Sequence, residues 1–306
     1  MRKAPRARTV TGMLEMRDRL VAAIPATERR FELAGVSTSV LEVGDGPELL
    51  LLHGPGEFAA KWLRVMPQLV RTHRVIAPDL PGHGSSEVMG GRLDGERVLA
   101  WLDELIDATC DGRPTLVGHV LGGSIAARYA VAHSERLERL VLVDTLGLAP
   151  FRPAPSFGMR LVGFTVRPTG RSYERFMRKC SVDLDALRSE MGELWAPYEA
   201  YNLQLARTPS VKASVRSLMR QVGVPRIPPE DLERIEVPVA LIWGRHDLAN
   251  RLRIAQTAAR RYGWPLHVVD DVADDPARDQ PDGFVRALRL ALAANVAGSR
   301  SLTSSP

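Results

Sequence analysis

One stretch of twelve residues, Leu116–Ala127, constrains the fold of this chain more than any other. Its apolar beginning, up to Val117, predicts a short buried strand, and its Ala-rich end predicts the start of a helix. A Gly-x-x-x-Gly-Gly turn centred on Val120 joins the two. Glycines on both sides of a tight turn allow the central residue a strained backbone with an exposed side chain. The stretch therefore predicts a strand, a sharp turn and a helix, with a chemically inert side chain at the tip.

Strand-like and helix-like segments alternate on both sides of this stretch. Strands are expected near 48–52, 74–77, 115–117, 140–144, 237–243 and 266–269, after an edge hairpin at 30–43. Helices are expected near 59–69, 95–109, 123–133, 252–262 and 281–294. Such alternation predicts a mostly parallel sheet covered on both faces, with ligands bound at the carboxyl ends of its strands.

Four further segments accompany the central turn, and their order is informative. They are Leu49–Gly56, Val75–Ser86, Ala240–Asp247 and Asp274–Phe284. Together the five resemble the alpha/beta-hydrolase family between about residues 30 and 292, and the central turn resembles its nucleophile elbow. The resemblance implies a mostly parallel, doubly wound sheet with an inserted helical cap over the active site.

The Pro-rich, helical region 148–228 contains no strand-like run and is where the family inserts its cap. We expect core segments at 28–147 and 229–295, a basic tail and short helix outside the core at 1–27, and a disordered tail at 296–306.

Bulk properties are those of an ordinary globular protein, with 45% hydrophobic and 25% charged residues. Residues 151–226 contain thirteen Lys and Arg but six Asp and Glu, so most of the net charge of +5 belongs to the cap. This local field favours an anionic substrate, a lipid head group or a merely solvated surface. No nucleic-acid motif, membrane span or signal peptide is predicted, and the two free-looking cysteines favour the cytoplasm.

The resemblance assigns the three catalytic positions of the family to Val120, Asp247 and Asp274. A family member carries a nucleophile, an acid and a histidine there, in that chain order. Valine has no lone pair, and a carboxylate does not replace imidazole in the proton transfers of acyl chemistry. The acid position is therefore kept, while the nucleophile and histidine positions are degenerate.

The resemblance also identifies an oxyanion loop and pocket, formed by His53, Gly54, Pro55, Gly56, Glu57 and Leu121. Glu57 is unusual on this loop, since its carboxylate is positioned to face the pocket. Ser124, His119 and His246 are nearby alternatives, but we expect a hydroxyl bonded to a carbonyl and two rings turned away from the pocket.

If Asp247 and Asp274 face each other under a cap, they cannot both ionise and should share one proton. This pair predicts non-covalent acid/base chemistry on a small, largely apolar molecule, with no metal and no cofactor. Two alternatives stay open: a catalytically silent ligand-binding protein, and a hydrolase, esterase or epoxide-hydrolase-like, whose nucleophile is mutated or unrecognised. The sequence makes no prediction of oligomeric state.

Overall fold

The structure is a computed structural model that describes residues 15–293. The predicted disordered tail and most of the predicted basic tail lie outside these residues. Within them, no helix is both long and apolar enough to cross a membrane.

A single mixed sheet forms the centre of the described chain. Its strands are β1 (Thr27–Leu33), β2 (Val36–Val43), β3 (Glu48–Leu52), β4 (Arg74–Pro78), β5 (Glu87–Val88), β6 (Thr115–His119), β7 (Arg139–Val143), β8 (Val239–Gly244) and β9 (Leu266–Val269). Their order is β1-β2-β4-β3-β6-β7-β8-β9, with β5 pairing to β2.

The sheet is parallel from β4 to β9, while β1 and β2 form the predicted antiparallel hairpin at one edge. Strands β3, β6, β7 and β8 are buried over nearly their whole length, as expected when helices cover both faces. Apolar side chains on the two faces form two separate clusters. The predicted doubly wound parallel sheet is confirmed.

Helices cover both faces and one end of this sheet. They are α1 (residues 15–22), α2 (Met66–Leu69), α3 (Gly95–Thr109), α4 (Leu121–Ala132), α5 (Pro155–Val166), α6 (Gly170–Cys180), α7 (Leu184–Met191), α8 (Trp195–Arg207), α9 (Pro209–Leu218), α10 (Pro229–Leu232), α11 (Leu252–Tyr262), α12 (Pro276–Asp279) and α13 (Pro281–Ala293). Helices α5 to α10 all come between β7 and β8, which confirms the inserted helical cap. The limits 148–228 for the cap stay a prediction.

Helix α1 corrects one expectation, because it is not outside the core. Leu20 and Ile24 are buried in the same apolar cluster as β3 and β7. Arg17 on this helix is also buried, where its guanidinium bonds Glu28 and contacts Asp79 at 3.5 Å. From the sequence alone, a basic residue is expected at the surface. Here Arg17 is buried because it pairs with carboxylates that are distant from it in the sequence.

Candidate functional site

The sharp turn predicted between β6 and α4 is present, and Val120 is its tip. Val120 has φ 48° and ψ −101°. A Cβ added to Gly118 would lie 2.4 Å from the carbonyl oxygen of Gly122, and one added to Gly123 would lie 2.0 Å from Thr145 Oγ1. Only glycine permits these approaches of backbone and side chain. The turn is therefore specified by the residues around its tip.

The strain at Val120 is held by hydrogen bonds of its own backbone. Its N–H donates to the Val143 carbonyl at 3.0 Å, and its carbonyl accepts from Leu146 N at 3.1 Å and Ser124 N at 3.2 Å. A β-branched residue at positive φ is a genuine outlier, with a typical cost of about 1–3 kcal/mol. Three bonds to β7, the following loop and α4 keep it there, and Val120 lines a cavity.

A cavity of about 630 Å³ lies between the cap and the carboxyl edge of the sheet. Most of its wall is apolar and comes from the cap, for example Phe157, Leu161, Phe164, Met177, Leu205 and Val215. Polar lining residues come from both parts, for example Glu57, His119 and Asp274 from the core and Asn202, Lys212 and Arg216 from the cap. A pocket of this size with few polar groups suits a small apolar ligand.

The residues of the predicted oxyanion loop fall into two groups, those that line the cavity and those beneath it. Pro55, Gly56 and Glu57 line it. His53 is fully buried, with Nδ1 2.8 Å from the Gly54 carbonyl and Nε2 accepting from Leu80 N at 3.0 Å. Burial lowers the pKa of His53 to about 4, so this ring is neutral.

Few amides of this loop are available to an oxyanion. Pro55 has no N–H, and the Gly54 N–H donates to Glu57 Oε2 at 2.6 Å. Leu121, the first residue of α4, is buried next to the tip, and an N–H in the first turn of a helix has no intrahelical partner. The Leu121 amide is thus the donor that the fold best preserves.

Asp247 lies close enough to Asp144 for the two acids to affect each other's charge, and the sequence analysis did not identify Asp144. Both are buried, and they follow the neighbouring strands β8 and β7. Asp247 Oδ1 accepts from Ala249 N and Asn250 N, and Asp144 Oδ1 accepts from Gly244 N. Within residues 15–293 their buried Oδ2 atoms have no hydrogen-bond partner, and a proton shared between the two would satisfy both.

Burial and this pairing decide the charge of both acids. Burial raises the pKa of Asp247 to about 7, against the opposing hydrogen bonds from its own loop. Burial and the nearby charge of Asp247 raise the pKa of Asp144 well above its usual range. An acid directly after β7, beside the strand that leads to Asp247, was the signal for this pair.

Asp274 lies in the cavity wall, whereas Asp247 is not among the lining residues. Within residues 15–293 no hydrogen bond joins Asp247 to Asp274, so the proton shared between these two acids stays a prediction. Burial raises the pKa of Asp274 to about 8, although Arg278, with Nη2 3.8 Å from Oδ1, opposes the shift. Repulsion from Asp247 contributes in the expected direction.

The buried ammonium group of Lys61 contacts three other side chains beneath the cavity. The sequence analysis did not predict this cluster. Lys61 Nζ lies 2.7 Å from His119 Nδ1, 3.1 Å from Asp275 Oδ1 and 3.6 Å from Glu57 Oε2. Within residues 15–293, these three side chains form the one group of possible metal ligands whose ligand atoms all lie within 4.8 Å of one another. The lysine supplies a positive charge at that point.

His119 connects this cluster to Asp274. Because Lys61 donates to Nδ1, the ring accepts there, and Nε2–H donates to the Asp274 carbonyl at 2.7 Å. The ring lines the cavity and is not turned away from it, contrary to our expectation. The spacing of four between Glu57 and Lys61 was visible in the sequence, but the contacts with His119 and Asp275 were not.

The remaining nucleophile and base candidates are accounted for individually. Ser124 Oγ donates to the Val222 carbonyl at 2.6 Å, as expected for a hydroxyl bonded to backbone. His246 is exposed and is not a lining residue. Cys180 does line the cavity, but burial and the neighbouring Asp274 raise its thiol pKa well above the usual range.

Several proteins with detectable sequence similarity to this chain are hydrolases. The chain is 38% identical over 131 residues to 2-hydroxymuconate semialdehyde hydrolase of Pseudomonas sp. (strain CF600), across 41% of this chain and 46% of that protein. The chain thus matches about half the length of that relative. It is 27% identical over 266 residues to pimeloyl-(acyl-carrier protein) methyl ester esterase of Aeromonas salmonicida, across 83% and 98%.

Solved structures support the same fold at lower identity. A Bacillus subtilis carboxylesterase superposes with a TM-score of 0.80 at 19% identity, covering 95% of this chain and 100% of that one. A 2-hydroxy-6-oxo-6-phenylhexa-2,4-dienoate hydrolase from Rhodococcus sp. strain RHA1 gives 0.76 at 23% identity, covering 89% and 100%. The family model for the alpha/beta hydrolase fold matches residues 47–273. This chain belongs to the alpha/beta hydrolase family.

Proposed function

We propose that this family member binds a small, largely apolar molecule in the capped cavity and forms no acyl intermediate with it. The observation that carries the proposal is Val120 at the tip of the turn, where an isopropyl group faces the cavity. A hydrocarbon side chain cannot attack a carbonyl, and Asp274 at the histidine position cannot take imidazole's part. The apolar cap wall supports an apolar ligand.

In this proposal Asp274 is the group that exchanges a proton with the ligand. With a pKa of about 8, its carboxyl group is mostly neutral at pH 7 and donates a hydrogen bond to a ligand oxygen. Asp247 lies outside the cavity wall. It raises the pKa of Asp274 through its charge and not through a hydrogen bond. A neutral acid next to a bound carbonyl supports non-covalent proton-transfer chemistry such as enolisation.

A catalytically silent ligand-binding protein is the second candidate. One specific observation favours it: the acid position, Asp247, is buried beside Asp144 and is not part of the cavity wall. The pocket would then be kept for binding alone. An ordinary hydrolase would need a different nucleophile, and Cys180, the thiol in the wall, is held in its unreactive protonated form.

We expect the purified protein to resist fluorophosphonate labelling and to release no burst of nitrophenol from p-nitrophenyl butyrate. The reason is that the tip residue offers no nucleophilic atom. Intact-protein mass spectrometry measures the labelling, with a serine esterase as positive control. A stoichiometric adduct on any residue lining the cavity would contradict the proposal and would support the alternative of a hydrolase with an unrecognised nucleophile.

We expect a neutral, carbonyl-bearing apolar probe, 6-propionyl-2-(dimethylamino)naphthalene, to bind the cavity about tenfold more weakly at pH 9 than at pH 7. Above pH 8 the Asp274 carboxyl group ionises, loses its donor proton and repels the probe's carbonyl oxygen. Fluorescence titration measures the Kd. In Asp274→Asn, an uncharged amide donor should make binding independent of pH over this range.

Asp282→Asn is the matched control, since Asp282 is an exposed acid on the following helix. It should keep the full pH dependence.

The stability of the wild type supplies a second readout, because folded Asp274 keeps a proton that the unfolded chain releases near its ordinary pKa of 3.8. The stability that Asp274 contributes therefore falls as pH rises from about 4 to about 8, and Asp274→Asn should remove up to about 1.4 kcal/mol per pH unit of downward slope. An identical pH profile in both variants would refute the role of Asp274.

A further inference from the structure

Helix α5, Pro155–Val166, is apolar but largely uncovered. It has one charged residue, Arg160, and one fully buried residue, Phe157. A surface helix of a globular protein normally turns charged residues outward, so an apolar outer face indicates a contact with something else.

The two faces of α5 have different surroundings. On the inner face, Phe157 and Phe164 pack against Phe176 of α6, with ring centroids 5.5 Å and 5.4 Å apart. On the opposite face, at helical spacing, Met159, Val162 and Val166 are 66%, 60% and 76% exposed. These three residues form what we call the α5 outer patch.

Arginines surround the outer patch without neutralising partners. Residues 151–173 contain four of them, Arg152, Arg160, Arg167 and Arg171, and no acidic residue. All four are exposed, and none has an ion pair within the part of the chain that the structure describes. An apolar helix face bordered by unpaired cations matches an anionic lipid surface, where apolar side chains enter the acyl boundary and cations meet phosphates.

We infer that the α5 outer patch docks this protein on the surface of an anionic lipid bilayer. A second copy of the chain fits less well, because a symmetric contact between two α5 patches brings two sets of arginines together. Val162 and Val166 are exposed and also line the cavity, so the outer patch extends to the rim of the cavity opening. Docking would therefore place the cavity next to the lipid.

Vesicle sedimentation of the full-length protein tests this inference, and it does not depend on the proposed function. We expect binding to vesicles of phosphatidylcholine with phosphatidylglycerol, and at least about tenfold weaker binding to phosphatidylcholine alone. The variant Met159→Ser/Val162→Ser/Val166→Ser should lose at least about tenfold in partitioning, because its apolar contact is gone. Arg160→Gln/Arg167→Gln/Arg171→Gln should lose a similar factor and most of the dependence on salt.

Matched controls change the same kinds of residue elsewhere. Leu290→Ser removes an apolar side chain that is 59% exposed on α13, and Arg253→Gln/Arg260→Gln removes two exposed charges from α11. Both should bind like the wild type. Because residues 1–8 are also basic, Arg2→Gln/Lys3→Gln/Arg6→Gln/Arg8→Gln should keep binding.

Three results would overturn the inference. One is the absence of binding to vesicles that contain phosphatidylglycerol. Another is binding that the N-terminal variant abolishes and the α5 variants do not. The third is a dimer in sedimentation velocity that the outer-patch serines dissociate, which would assign the patch to a second copy of this chain.

Discussion

The double variant Val120→Ser/Asp274→His is expected to hydrolyse p-nitrophenyl butyrate at least about a hundredfold faster than the wild type. The strained turn is already formed, so a serine at its tip should present its hydroxyl to the cavity as valine presents its methyls. A histidine at position 274 would add the general base. Asp247, whose charge already acts on that position, would orient its imidazole.

Each single variant should stay near the wild-type rate, because a nucleophile without its base gains little, and members of a triad act as a unit. Asp247→Ala in the double-variant background should reverse most of the gain. If the double variant folds but gains nothing, the missing element is not the triad. The oxyanion loop would then be responsible, since Pro55 has no N–H and Gly54 donates to Glu57.

Lys61→Met is expected to lower the free energy of unfolding by about 3–5 kcal/mol. Lys61 is buried, and its ammonium group holds two carboxylates, Glu57 and Asp275, and the ring of His119. It also stands over the Trp62 ring, 4.4 Å from the centroid. Methionine preserves much of the volume but leaves the Glu57 carboxylate without its cation and Asp275 with Arg278 alone, 3.6 Å away. Urea denaturation at pH 7 measures the change.

Two comparisons separate loss of charge balance from loss of packing. Lys179→Met, at a lysine with no ion pair in the described structure, should change stability by less than about 0.5 kcal/mol. Adding Glu57→Gln and Asp275→Asn to Lys61→Met should recover part of the lost stability, because both uncompensated charges disappear. If the triple variant is no more stable than Lys61→Met, packing and not electrostatics accounts for the cost.

Local patterns were sufficient to predict most of the fold. Helices α3 and α11 and strands β3 and β9 have the predicted bounds, and the other core strands differ by one or two residues at an end. Their periodicity and flanking glycines act over a few neighbours, which a sequence displays directly. The turn at Val120 was predictable for the same reason, since three glycines near it leave little conformational choice.

Long-range electrostatics was not predictable in this way. Asp144 and Asp247 meet because β7 and β8 are neighbours, and Lys61 meets Asp275 across more than two hundred residues. Arg17 is buried because its guanidinium group pairs with the carboxylates of Glu28 and Asp79. Each of these charges looks like solvated surface in the sequence. Only the tertiary arrangement gives it a buried partner.

The strained backbone conformation of Val120 is imposed by neighbouring residues and not by its own side chain. Neighbouring glycines and three main-chain hydrogen bonds shape the bend at Val120, so the bend persists even with a valine, whose positive φ costs about 1–3 kcal/mol. Reactivity and architecture are consequently encoded by different residues here. A scaffold of this kind can lose or regain a chemistry at one residue while its shape persists.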